Sequence, residues 1–312
     1  TYNIDNHANE LITPWHMLNA HAERNQFFSY YNNSNGSFLS HGINGSWALG
    51  IFQDLELRDK INLRSQFNNP WSNFSAAGTS LGSIIKVNSV FNIALSVSSG
   101  RNRFDENKVF EERNSSSIAV VELQSKSKLP SLQFGLLKEN DSSHGLSGSG
   151  ALDGSNNHFT SFFGLSNSLE LFGGKLFGSF YWGKSADAKN DLGMIESLSS
   201  ITSSAFGLGF LRSSVMHKND QLTFTINQPI RIESGTLKLN VPVLRTKEKN
   251  VIFNSIKFGL NPSGREINSK ARYSTSYKNM NFALSLGYKS DPYHIKFMDD
   301  YWYMSLGFNI DI

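Results

Sequence analysis

Cysteine is absent from all 312 residues, which removes disulfide frameworks and thiolate metal sites and suits an oxidising envelope compartment. Long apolar runs are absent too. A helix that crosses a bilayer needs about 18 or more consecutive apolar residues, and no segment supplies them. No basic-then-apolar leader opens the chain, so residue 1 is not expected to be the start of an exported precursor. Charge is sparse, at 18% of residues, and its balance of +3 is too small and too evenly spread for a nucleic-acid surface. Apolar residues are scarce as well, at 39% with a mean hydropathy of -0.33, where soluble domains carry about 45–50%.

Two classes of chain share that apolar deficit. Disordered chains lack aromatics; membrane barrels keep them, because their strands are apolar on one face and polar on the other. Here aromatics reach 12%, with 24 Phe, 10 Tyr and 5 Trp, which argues against disorder.

Alternation then points to strands. From residue 302 the even positions read Trp302, Met304, Leu306, Phe308, Ile310 and Ile312, against Tyr303, Ser305, Gly307, Asn309 and Asp311. Eleven residues at period two match a tilted membrane-crossing strand of about 9–11 residues. The pattern recurs at Phe282, Leu284, Leu286 and Tyr288; at Leu222, Phe224 and Ile226; at Leu237, Leu239 and Val241; and at Phe91, Ile93, Leu95 and Val97. Weaker versions lie at 60–67, 117–124, 132–136, 159–166, 175–183, 205–211 and 266–277. Residues 81–98 read as one long strand or two short ones, and 251–260 as a further strand or a loop extension.

The count comes to about twelve, and the expected fold is all-β, an antiparallel outer-membrane β-barrel. Small neutral polar faces suit a crowded wet lumen better than a free surface, which argues against a soluble sandwich. Aromatics near strand ends, among them Tyr181, Trp182, Tyr273, Tyr277, Tyr288, Tyr301 and Trp302, suggest interfacial girdles. Connections at 125–130, 167–174 and 278–280 are short, whereas those at 100–113, 138–158 and 185–204 are long and polar, the asymmetry of such barrels.

The first forty residues differ. Thr13 and Pro14 read as an N-cap and first helical position, with Trp15, Leu18 and Ala22 on a short helix to about Asn25, followed by a linker at 32–36. Residues 1–40 are therefore an expected helix-and-linker segment, and 41–312 the barrel.

Chemical motifs are few. Gly78-Thr79-Ser80-Leu81-Gly82 fits G-x-S-x-G, but Ile84, Ile85 and Val87 after it read as strand where a nucleophile elbow needs a helix. His7, His16, His21, His41 and His144 stand in polar surroundings without a carboxylate at ligand spacing. No catalytic residue, metal or cofactor is expected. Strand parity places charges on the inner face instead: Arg231, Glu233, Lys238, Glu266, Lys270 and Arg272. A charge facing lipid would cost about 2–4 kcal/mol at mid-membrane. Such a set either fills and rigidifies the lumen with ion pairs or contacts a segment passing through it, such as the N-terminal helix with Glu23 and Arg24. The terminal strand has a further reading. Ser305, Gly307, Phe308, Ile310 and Ile312 fit an outer-membrane assembly signal, a strand that assembly machinery pairs by edge augmentation.

Residues 220–235, DQLTFTINQPIRIESG, resemble the "sQPLRVESG" signature in the barrel domains of subtilisin-like autotransporter serine proteases. Residues 132–139 resemble that family's "fGvlxE" strand, 203–209 its "sSAFGLG" strand, 261–267 its "PsGREI" turn, and 52–63 its segment leading into the barrel. The resemblance covers about residues 50–312. It implies a twelve-stranded translocator in the bacterial outer membrane that anchors in lipid and supports export of an N-terminal passenger by type V secretion. Its partners would be outer-membrane lipid, its own passenger or linker, and the barrel-assembly machinery. The linker at about 8–36 would plug the pore after export. The protease domain of such proteins has no counterpart here, so no activity is expected of this chain. The alternative reading is a small outer-membrane porin with an open lumen.

Overall fold

The computed structural model describes residues 26–32, 37–42, 69–75, 77–101, 115–125, 129–140, 157–189, 194–277 and 280–310. Its strands are β1 (Gln26–Asn32), β2 (Ser37–Gly42), β3 (Ala77–Lys86), β4 (Phe91–Arg101), β5 (Ser115–Ser125), β6 (Ser131–Glu139), β7 (His158–Leu171) and β8 (Gly174–Ser185). They continue as β9 (Ala188–Lys189), β10 (Ile195–Leu198), β11 (Thr202–Ser213), β12 (Asp220–Ser234), β13 (Thr236–Arg245), β14 (Val251–Gly259), β15 (Ile267–Tyr277), β16 (Met280–Ser290) and β17 (Tyr301–Ile310). Two 3-10 turns, Pro70–Ser75 and Pro292–His294, complete the described elements.

Thirteen strands form one antiparallel sheet in the order β1-β2-β3-β4-β5-β6-β7-β8-β11-β12-β15-β16-β17. Its edges are β1 and β17, and no ladder joins the two among the described residues. A second sheet of four strands, β14-β13-β10-β9, is built from two excursions, the β8–β11 and β12–β15 connections. The alternation at 237–241 is therefore strand, but in this second sheet, and 251–260 is the other arm of the same hairpin. Residues 81–98 fall in two strands, β3 and β4. The candidate strand at 60–67, the helix to Asn25 and Ile312 lie outside the described residues. The linker expected at 32–36 lies between β1 and β2 and, beyond Asn32, outside the described residues; β2 spans the boundary expected at residue 40.

The connections sort by end. At one end β7 and β8 are joined by Phe172 and Gly173, both at positive φ (52° and 69°), a pairing suited to a tight two-residue hairpin turn. The β3–β4, β5–β6, β11–β12 and β15–β16 connections at that end are also short. At the other end lie the long connections, including both excursions into the second sheet.

Burial on the large sheet is inverted. Ser80, Asn92, Ser96, Ser98, Ser116 and Glu122 are buried, while Leu81, Leu95, Val121, Phe134, Leu208 and Phe224 on the opposite face are exposed. Two pairs on the polar face bond across neighbouring strands: Ser80 Oγ donates to Ser98 Oγ at 2.8 Å, and Gln133 Nε2 to Glu122 Oε2 at 3.2 Å. Glycines on that face seat rings from the facing strand. Gly135 is opposite Phe162, Gly164 opposite Tyr181, Gly209 opposite Phe177 and Gly287 opposite Tyr303. A Cβ at these glycines would meet the ring at 2.0, 2.5, 2.3 and 2.2 Å respectively, so any larger residue would expel it.

Candidate functional site

Two constructions stand on this frame. The first lies on the polar face. Trp71, in the Pro70–Ser75 turn, is fully buried, stacks on Phe162 with centroids 4.8 Å apart and planes 1° apart, and meets Tyr181 edge-on at 6.3 Å. Phe74, Ile118, Val120, Leu137 and Ala205 complete the cluster, with Ile230 packed against it. Tyr181, read from sequence as an interfacial ring, therefore faces inward. Asn69 orients the turn: its Oδ1 accepts from the Trp71 N–H at 3.0 Å and its Nδ2 donates to Gln133 Oε1 at 2.9 Å. Ser116 Oγ donates to the Phe74 carbonyl. The cluster thus draws on β5 to β8, β11 and β12, so this stretch of sheet wraps around the turn.

The second construction is an ionic network at the long-connection end, and it begins with Pro229. A proline has no N–H to give a ladder, and β12 bulges there: Phe206 is opposite Gln228, but Ser204 is opposite Arg231. The extra residue flips the parity. Thr223, Thr225 and Asn227 face the polar side, yet Arg231 pairs through Ser204 with Trp182 and so shares the face of Trp182. The reading that carried the alternation of 222–226 forward and put Arg231 inside is corrected by this bulge.

Glu233 belongs with Arg231: its Oε2 pairs with Arg231 and, at 3.0 Å, with Arg265 Nη2. Its Oε1 accepts from Ser204 Oγ at 2.6 Å. Arg231 also donates from Nε to the Gly264 carbonyl and from Nη2 to the Pro262 carbonyl, both at 3.0 Å. Arg265 reaches Gln228, whose Nε2 donates to the Ser204 carbonyl at 3.1 Å. The segments 220–235 and 261–267, distant in sequence, are thus locked into one rim.

Lys270 and Arg272 lie on β15 at positions of the same parity, and Glu266 directly precedes that strand. Arg272 is buried opposite buried Thr223, and Lys270 lies opposite Thr225. Glu266 accepts from Lys289 Nζ at 3.1 Å and from Asn268 Nδ2 at 3.0 Å. Its Oε2 takes the Tyr293 N–H at 2.6 Å. That last bond helps hold a strained turn, because Asp291, Tyr293 and His294 all have positive φ (44°, 58° and 62°), at about 1–3 kcal/mol each. The Asp291 carboxylate accepts from the Arg265 N–H at 3.0 Å, and the His294 carbonyl from the Gly264 N–H at 2.7 Å. Asp300, beyond the strand end, takes the Tyr288 hydroxyl at 2.6 Å and the Asp291 N–H at 2.9 Å, which holds its carboxyl below the ordinary range.

Lys238 is placed elsewhere. It lies on β13 in the second sheet and pairs with Glu196, whose Oε2 also accepts from Ser255 Oγ at 3.1 Å. Sequence reasoning missed Asn69, Trp71, Gln228, Arg265 and His294. Gln228 and Arg265 sit inside the two quoted motifs and were within reach there; the 3-10 turn carries no periodic signal.

On the terminal strand, Trp302, Met304, Leu306 and Phe308 are exposed and Gly307 is buried, with Ser305 opposite buried Ser285. Ile310 is the last residue of β17. Among the described residues no group of three or more His, Asp or Glu is placed to hold a metal ion. Comparison with protein-family models gives no match, and no curated protein or solved structure matches significantly.

Proposed function

We propose that this chain is the translocator of a bacterial outer-membrane autotransporter: a barrel that anchors in lipid and supports export of an N-terminal passenger. The observation that carries the membrane reading is the inverted burial. Serine, asparagine and glutamate are shielded while leucine, valine and phenylalanine are bare, which in water would forfeit the main driving force of folding. In lipid the same arrangement is the favourable one. A sheet in the membrane cannot leave edges, so β17 would close against the first staves. Of the thirteen strands, β2 to β17 without β1 make twelve, and that count brings the start of β2 and the end of β17 to the short-turn end. The export role rests on the resemblance of 220–235 and 261–267, which gains support because these segments form one bonded rim.

The barrel is a non-enzymatic conduit in this reading. Its polar wall solvates a passing polypeptide, its apolar face holds lipid, and its terminal strand recruits assembly machinery. An epitope-tagged passenger fused ahead of residue 1 tests it in a Gram-negative host. The expected result is outer-membrane fractionation, heat-modifiable gel migration and tag cleavage by protease added to intact cells. A heat-modifiable protein whose tag stays protected and which conducts ions freely would be a porin instead; a product soluble without detergent would overturn both.

A further inference from the structure

We propose that the Pro70–Ser75 turn is a built-in constriction, which narrows the passage from the long-connection end whether or not an N-terminal segment is threaded; this rests on the barrel reading. The argument starts from the glycine seats. Four rings on the polar face cover a glycine directly opposite in the ladder, as structural packing between neighbouring strands. The fifth seat differs. Gly183 is covered by Trp71, where a Cβ would meet the indole at 2.3 Å, yet Trp71 belongs to no strand. The wall leaves a vacancy the size of an indole, and the connection ahead of β3 fills it.

The turn is also tied at its other side. Asn69 bonds Gln133 on β6, and Ser116 on β5 bonds the Phe74 carbonyl, so the turn spans from β5 to β8 across the inner wall. A six-residue 3-10 segment is about 12 Å long. With its indole that is comparable to the interior of a small barrel, whose bore grows roughly in line with strand number. Bulk of this size on the polar face excludes hydrated ions and small polar solutes from that side of the lumen. A polypeptide in transit would pass alongside it or lift Trp71 from its seat.

Planar-bilayer recording of the full chain tests this. Trp71→Ala removes the bulk, and Gly183→Val evicts it without touching the turn. Each is expected to raise unit conductance about twofold or more over the parent chain. Conductance equal to the parent's, in variants that keep heat-modifiable migration, overturns the constriction. If both variants fail to assemble, Asn69→Ala, which frees the turn from Gln133, carries the same expectation and the same refutation. A parent chain that shows neither heat-modifiability nor channels would instead refute the barrel reading, so the two failures are distinguishable.

Discussion

His294 is held between two backbone groups that fix its protonation. Its Nδ1 accepts from the Glu266 N–H at 2.9 Å, so the ring proton sits on Nε2 and points at the Ile230 carbonyl 3.0 Å away. Burial lowers the affinity of the ring for a second proton, which would also put two donors face to face at Nδ1. The folded state thus holds its proton more weakly than the unfolded chain, whose value is near 6.5. This contribution is complete above pH 6.5 and is lost as the pH falls below it. Thermal unfolding in detergent should show a lower midpoint at pH 5.5 than at 7.5, and His294→Gln should flatten the difference; an unchanged slope would refute the role. Arg231→Ala removes two bonds to loop carbonyls and one partner of Glu233, and should cost about 2–3 kcal/mol in urea unfolding. The shared parity of Lys270 and Arg272 is legible in sequence because the pairing of β15 with β12 runs without irregularity through both. That of Arg231 is not, because one proline shifts the count, and proline in sequence does not announce which way a bulge turns its neighbours.

At the scale of elements, the hairpins depend on their glycines. Gly164→Leu would drive a side chain into Tyr181, and Gly287→Leu into Tyr303, each displacing a ring that bridges two strands. Overpacking of this kind costs about 1–3 kcal/mol, and the heat-modifiable fraction on gels should fall in both variants. Unchanged folding in both would show that the rings move aside freely. Strands were the most readable elements, since β4, β12, β16 and β17 each expose the alternate residues that the period-two pattern assigns to the outside. Their allegiance was not readable. β13 alternates as cleanly as any stave but pairs with β10 and β14, because register with a partner distant in the chain leaves no mark on local periodicity.

For the whole molecule, the distinction between faces is the property to challenge. Leu208→Arg and Phe224→Arg place charge on the bare apolar face, and each should destabilise the reconstituted protein by about 2–4 kcal/mol if that face meets lipid. Ser96→Arg, on the shielded face, should perturb packing without this dependence on lipid, so comparing detergent with bilayer separates the two. Equal effects in both environments would remove lipid from the account. The large sheet was legible as a whole because aromatic content and alternation act over the entire chain. The buried turn around Trp71 was not, since its effect comes from where a connection folds back.

Strand order in the large sheet has one further consequence. Apart from the two excursions, every partner is also the next strand in the chain, so each ladder closes one connection between sequence neighbours, and the entropy of closure grows only slowly with its length. A nick between β6 and β7 would leave two pieces joined by a single ladder if the meander is open, but by two if its ends meet. Fragments expressed separately and mixed should then reassemble as a ring, with disulfide trapping between cysteines placed on β17 and β2 marking the second seam.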